Sequence, residues 1–294
     1  MALPFDQHDG FIWMDGGLVA WKEAKLHVLS HGLHYASCVF EGERAYGGRI
    51  FKSRQHAERF RESAKILDFE IPFSVDAIEA AKRQVVEANG FQDCYVRPVA
   101  WRGSEMMAVA AQQATIHVAI ATWDWPSMFD TNEKMKGIKV DIAEYRRPDP
   151  QTAPCQSKAS GLYMICTISK HRAERRGYAD ALMLDWQGRV AECTGANVFF
   201  TRDGVLHTPI ADCFLDGITR RTVIDLAKRR GFDVVERRIL PEELSTFNEC
   251  FICGTGAEVT PVSEVGPYRF RPGNISRTLI EDYTAEVRRK VEAA

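Results

Sequence analysis

The chain has 294 residues, 45% of them hydrophobic and 27% charged, with a formal net charge of -2. That length suits one large or two medium domains with a sizeable core, and the near-neutral balance offers no basic excess for a nucleic acid or membrane partner. The start, Met1 to Gly10, lacks a basic region followed by an apolar run, so no signal peptide is expected, and no stretch approaches the roughly 18 apolar residues of a membrane span.

In chain order, Phe11 to Met14 and Leu18 to Trp21 flank Asp15-Gly16-Gly17, a hairpin signal, and Phe40 to Tyr46 and Arg49 to Phe51 flank Gly47-Gly48 in the same way. Two helices are predicted next, Arg54 to Leu67 and Val75 to Asn89, the second with Ser74 as N-cap and Gly90 just past its end. Cys94 to Trp101 and Thr115 to Thr122 read as strands. From Trp123 to Gly137 periodicity is lost, so the junction is placed there, with a smaller domain over 1–124, a loop over 125–137 and a larger domain over 138–294.

The second half opens with a strand, Ile138 to Ala143, and a loop containing Pro148, Pro150 and Pro154. A helix follows from Gly161 to Arg176, with Lys158 at its start, then paired strands from Ala181 to Thr208. Helices are predicted over Ile218 to Arg230 and Ile275 to Glu292, the last capped by Asn274. Interleaved strands, helices and short hairpins favour a two-domain mixed α/β enzyme over a doubly wound sheet. The eight cysteines are scattered. Cys250 and Cys253 are separated by two residues without a second pair nearby, which fits a core strand better than a redox or zinc site, and reduced thiols in the cytoplasm are the default.

Lys158 lies in Ser157-Lys158-Ala159-Ser160-Gly161-Leu162-Tyr163, where small neighbours leave room for a bulky aldehyde. Alone it reads as a solvated surface lysine. Glu192, among small and apolar residues, needs a cation such as a pyridinium if it is buried, and otherwise is a strand-end glutamate facing water. Gly217-Ile218-Thr219 opens a helix with free amides and a hydroxyl, an anion site by geometry, although a well-capped helix explains it equally. Thr255-Gly256 offers a further hydroxyl and amide, and Arg59 a positive charge. A lysine, a carboxylate for a ring nitrogen and donors for a phosphate are what pyridoxal 5'-phosphate requires of a protein. His27, His31 and His34 invite a metal reading, but no carboxylate accompanies them and Gly32 weakens the helix they would share. Cys155 and Ser157 fit wall positions rather than nucleophiles.

Over nearly its whole length, from Ile12-Trp13 to Val262, the chain resembles fold-type IV pyridoxal-phosphate enzymes of the D-amino acid aminotransferase-like fold, and most closely branched-chain amino acid aminotransferases. The most specific stretches are Ser30-His31-Gly32-Leu33-His34-Tyr35, Val39-Phe40-Glu41-Gly42, Tyr95-Val96-Arg97-Pro98, Ser157 to Tyr163 and Asp216-Gly217-Ile218-Thr219-Arg220. The resemblance implies Lys158 as the lysine that joins the cofactor and shuttles the proton, Glu192 on the pyridine nitrogen and Tyr163 near the phenolic oxygen. Arg59, Ile218, Thr219 and Thr255 would hold the phosphate. Tyr95, Arg97 and the amides of Thr255 and Gly256 would meet the substrate α-carboxylate.

Phe40, Tyr35, Trp125 and Val109 would wall the side-chain pocket, with Tyr35 and Val109 coming from a neighbouring subunit, so a homodimer or larger assembly is implied. Met128 stands where an aromatic is common in the family. Such walls suit leucine, isoleucine and valine, whose burial is worth roughly 1.5–3 kcal/mol each, and Arg97 or Tyr35 would reach the γ-carboxylate of glutamate. The implied reaction is ping-pong transamination of these amino acids with 2-oxoglutarate. D-amino acid and (R)-amine transaminases of the same fold are the alternative. The former carry an arginine-x-histidine pair after the strand that holds Tyr95, and Tyr95-Val96-Arg97-Pro98, with Phe40, Gly42 and Arg44, fits the branched-chain enzymes better. An aminodeoxychorismate lyase shares the lysine, and a cofactor-free binding protein would lack Lys158 or Glu192.

Overall fold

The computed structural model describes residues 3–125 and 131–289. Met128 and the last turn expected of the final helix lie outside them. The chain divides into two compact units, Met1–Pro126 with Ser157–Gly161, and Ser127–Gln156 with Leu162–Ala294.

The first unit contains β1 (Phe11–Met14), β2 (Gly17–Ala20), α1 (His31–Tyr35), β3 (Cys38–Phe40), β4 (Glu43–Tyr46), β5 (Arg49–Ile50), α2 (Ser53–Ile66), α3 (Val75–Ala88), β6 (Cys94–Arg102) and β7 (Ile116–Asp124). Its antiparallel sheet runs β2-β1-β7-β6-β4-β5, with β3 also on β6. The expected hairpins and both helices are present, and Ser74 Oγ caps α3 by accepting from Ala77 N–H.

Apolar residues at helical spacing, Phe60 and Ala64 of α2 and Ile78 and Val85 of α3, bury against Val96, Val118 and Ile120. The two-residue period of β6 turns Tyr95, Arg97 and Val99 away from that core. The single strand expected from Phe40 to Tyr46 is broken into β3 and β4 at Glu41-Gly42. The break lies opposite Pro98, which has no N–H to give and accepts from Glu41 N–H at 2.8 Å.

Lys158 is not at a helix start. Its carbonyl accepts from Phe40 N–H at 3.2 Å, and Ala159 bridges antiparallel to Val39. Ser63 of α2 holds the same stretch, its Oγ accepting from Lys158 N–H at 3.0 Å and its carbonyl accepting from Ser157 Oγ at 2.9 Å. These bonds draw Lys158, expected in the second half, into the first unit as an extended segment. Helix begins only after it, as a 3-10 turn over Ser160–Tyr163.

The second unit contains α4 (Thr131–Lys134), β8 (Ile138–Ile142), α5 (Met164–Arg175), β9 (Asp180–Leu184), β10 (Val190–Cys193), β11 (Asn197–Arg202), β12 (Val205–Thr208), α6 (Ile218–Arg229), β13 (Val234–Glu236), β14 (Glu249–Gly254), β15 (Glu258–Val265), β16 (Tyr268–Arg269) and α7 (Asn274–Arg288). Its sheet runs β10-β9-β8-β15-β14-β11-β12-β13, with β16 on β15. The pairs β8–β9, β8–β15 and β12–β13 are parallel and the others antiparallel, giving a mixed sheet. Val140, Leu182, Val198, Phe200, Ile252 and Val262 bury in its core. Cys250 on β14 joins that core, and Cys253 on the same strand is also fully buried.

Asn274 is not the cap of α7. The N-cap is Gly273, and Glu249 on β14 reaches across to accept from the N–H groups of Gly273 (3.0 Å), Ile275 (3.3 Å) and Ser276 (2.9 Å). A carboxylate at a helix N-terminus meets both the unpaired amides and the positive end of the helix dipole.

Candidate active site

Within the first unit, five expected site residues come together on the face of β6 that points away from the helices. Tyr95 stacks on Trp123 with ring centroids 4.9 Å apart and meets Trp125 at 5.3 Å. The Arg97 guanidinium lies 4.8 Å from the centre of the Phe40 ring and donates from Nη2 to the Tyr95 hydroxyl at 3.3 Å. Lys158 Nζ lies 4.8 Å from the centre of the same ring. The ring quadrupole favours both cations. Arg97 Nε is buried and has no hydrogen-bond partner among the described residues, so the guanidinium retains capacity for a carboxylate.

Arg59, on α2, is held by a group that the sequence analysis gave no role. Glu41, fully buried, accepts from Arg59 Nε and Nη2 at 2.7 Å each and faces His56 Nδ1 at 2.7 Å. Burial alone pushes the Glu41 carboxyl up, but Arg59 and His56 outweigh it and hold the group well below the usual carboxylate range. Two residues on, Glu43 meets Lys82 Nζ at 2.8 Å with both side chains fully buried, and there burial wins and raises the carboxyl. The signal for Glu41 was its place beside Phe40 between apolar neighbours.

Tyr35 and Val109 are exposed, at 45% and 84%. The His31 ring stacks on Tyr35 at 4.6 Å. The three histidines weighed as a metal group face backbone atoms instead. His27 Nδ1 accepts from Leu29 N–H, and His34 Nε2 and His31 Nε2 lie 2.9 and 2.8 Å from the carbonyls of Val28 and Ala108. No cluster of three metal-ligating side chains occurs among the described residues.

Within the second unit, two further expected elements, Glu192 and the start of α6, meet at Asn197, another residue given no role from sequence. Glu192, on β10, is partly buried and accepts from Asn197 Nδ2 at 3.3 Å. Its other oxygen lies 3.5 Å from Nε of Arg147, which is 4% exposed. Burial works against the charge of Arg147, but Glu192 and nearby groups that include Tyr163 keep its pKa above the ordinary value. A second Asn197 bond runs to the Leu215 carbonyl at 3.1 Å, and a Cβ at Gly217 would lie 2.3 Å from Asn197 Oδ1. Any side chain at Gly217 would therefore displace this asparagine from the start of α6, with Ile218 and Thr219. Gly254, just before Thr255 and Gly256, passes near the chain preceding Asn197: a Cβ there would lie 3.2 Å from the Gly195 carbonyl oxygen. Gly217, the N-cap of α6, provides no side-chain capping bond, which leaves first-turn amides for an anion. Arg147 and Asn197 gave little sequence signal, since an arginine after a turn and an asparagine in a strand are common as surface residues.

The class IV amino-transferase family model matches residues 38–265. A probable branched-chain-amino-acid aminotransferase of Rickettsia felis is 42% identical over 254 residues, 86% of each chain. The branched-chain-amino-acid aminotransferase of Pseudomonas aeruginosa is 39% identical and covers 97% of this chain and 95% of its own. Among solved structures, a branched-chain aminotransferase from the thermophilic archaeon Thermoproteus uzoniensis, with norvaline, superimposes with a TM-score of 0.91 at 36% identity, covering 97% of each chain. The chain belongs to the class IV aminotransferases. Its mixed α/β architecture is the fold-type IV arrangement expected from the resemblance.

Proposed function

We propose that the protein is a pyridoxal-phosphate transaminase that moves the amino group of L-leucine, L-isoleucine or L-valine to 2-oxoglutarate. The observation that carries this reading is Glu192, a partly buried carboxylate set between the Asn197 amide and the Arg147 guanidinium. A donor and a cation at that distance favour its ionised form, the form that holds a proton on a ring nitrogen. The residues fit the group further: an α6 N-terminus with first-turn amides and a lysine beside Arg97 and Phe40 match its phosphate and its aldehyde.

When bound, pyridoxal phosphate supplies the aldehyde that captures the amine and a protonated ring that accepts electron density from the substrate Cα. Lys158 would hold that aldehyde through Nζ and, once displaced by the substrate amine, would take the proton from the substrate Cα. Tyr163 donates toward the phenolic oxygen. The amides of Ile218 and Thr219, the hydroxyls of Thr219 and Thr255, and the guanidinium of Arg59 bind the phosphate, Arg59 with its fork already oriented by Glu41. Arg97, Tyr95 and the amides of Thr255 and Gly256 hold the α-carboxylate, and Phe40, Trp125, Tyr35 and Val109 enclose the side chain. Two half-reactions in turn make the kinetics ping-pong.

The protein works in the cytoplasm, in keeping with its eight free thiols. It assembles as a homodimer or larger. Leu26, Val28, Leu29, Leu33 and Tyr35 around α1, together with Val109, are exposed apolar side chains that a second copy would cover.

The test is the absorption spectrum of the cofactor-loaded protein titrated with L-leucine and, separately, with D-alanine. Loss of the long-wavelength band with L-leucine alone is expected. Loss with D-alanine instead would move the protein to the D-amino acid or (R)-amine branch of the fold. A protein that develops no such band with added pyridoxal phosphate would overturn the reading.

A further inference from the structure

His31 is 2% exposed, whereas the two side chains it serves, Tyr35 and Val109, face solvent. Side chains and loops at the surface keep their conformational freedom unless something ordered holds them. The segment from Gly103 to Thr115, which carries Val109, is held at several points. His31 N–H donates to the Gly103 carbonyl at 2.8 Å, Gly103 N–H to the Thr115 carbonyl at 2.8 Å, and Arg102 Nη1 to the Ala111 carbonyl at 2.9 Å. The bond nearest Val109 comes from the His31 side chain, whose Nε2 lies 2.8 Å from the Ala108 carbonyl. A carbonyl only accepts, so Nε2 carries the hydrogen.

The same ring stacks on Tyr35 with an interplanar angle of 24°. One buried imidazole thus touches the aromatic of α1 on its face and the Val109 loop at its edge. The other nitrogen, Nδ1, is buried with no hydrogen-bond partner among the described residues. An unpaired buried acceptor costs stability, and an apolar side chain of similar size would carry no such cost. What the imidazole contributes is the bond to Ala108 together with the stack on Tyr35.

We propose that His31 is a positioning residue for substrate specificity, setting Tyr35 and Val109 in register as one wall of the side-chain pocket. This rests on the assignment of those two residues to that wall under the proposed function. His31 itself touches no substrate. Its effect scales with how far a substrate side chain reaches toward the wall.

The experiment compares kcat and KM for L-leucine and for L-2-aminobutyrate, whose ethyl group fills less of the pocket, in the wild-type holoenzyme, in His31→Phe and in His31→Gln. His31→Phe keeps an aromatic beside Tyr35 and removes the donor, while His31→Gln places an amide N–H near the position of Nε2. In His31→Phe the leucine to 2-aminobutyrate ratio of kcat/KM is expected to fall about ten-fold, the scale set by a methylene or two in an apolar pocket. The loss falls in the KM for leucine, with kcat for 2-aminobutyrate unchanged. His31→Gln restores the ratio to within about two-fold of wild type. A ratio unchanged in His31→Phe, an equal loss on both substrates, or no rescue by His31→Gln overturns the proposal. If His31→Phe does not fold, His31→Asn, whose amide falls short of the Ala108 carbonyl, is judged by the same ratio. A wild-type enzyme inactive on leucine would instead overturn the proposed function, and the role of His31 with it.

Discussion

At the residue scale, charge is decided by the balance between burial and pairing. Glu41 and Glu43 are both fully buried, yet the first is held down by Arg59 and His56 while burial raises the second despite Lys82. The depressed carboxyl of Glu41 sets the sign of a pH effect. Its folded-state pKa lies below the ordinary 4.5, so its contribution to stability is present above that value and is lost as the pH falls through and below it. Glu41→Gln should destabilise the protein at neutral pH by roughly 3–5 kcal/mol, because Arg59 loses its buried counter-ion. It should also flatten the fall of Tm between about pH 5 and 3. Melting curves of both proteins across that range check it, and parallel curves would remove Glu41 as the source. At Lys158 the expectation is different. The backbone bonds of this segment to Ser63 and Phe40 do not involve its amine. Lys158→Ala should therefore keep the near-ultraviolet circular dichroism of the wild type while losing roughly 10⁴-fold in turnover.

At the element scale, α7 shows how a helix start is set from outside the helix. Asn274 satisfies the local capping preference, but it is exposed and Glu249 on β14 accepts from three N–H groups of the first turn and its N-cap. A capping rule read along the chain cannot find an acceptor 25 residues upstream. Glu249→Ala is expected to cost on the order of 2 kcal/mol, and Asn274→Ala within about 0.5 kcal/mol, both read by denaturant titration. Equal effects would return the cap to Asn274. The displacement of Lys158 from a predicted helix start has the same origin, since Ser63 and β3 offer the backbone partners that an early helical turn would otherwise have supplied.

At the scale of the whole molecule, the apolar residues exposed around α1 and the Val109 loop are the feature a lone chain explains least. Exposed apolar side chains that fall so close together in the chain are ordinarily covered. Sedimentation equilibrium is expected to give at least twice the mass of one chain at micromolar concentration. Substituting Leu33→Glu, on the exposed face of α1, should shift the protein toward the single chain. A monomeric wild type would refute the assembly.

Much of the fold was legible in the sequence, because glycine turns, caps and hydrophobic periodicity act through neighbours a few residues away. The two hairpins, α2, α3 with its Ser74 cap, α6 and the buried Cys250–Cys253 strand follow from such local signals. So does the order of lysine, carboxylate and glycine-rich turns along the chain. Tertiary structure alone decided what each of these groups rests against: Arg147 and Asn197 at Glu192, Glu41 at Arg59, His31 at Ala108, and Glu249 at α7. Those pairings join residues from 5 to 77 positions apart. Their energies depend on burial and on hydrogen-bond geometry, two quantities that exist only once the chain has folded.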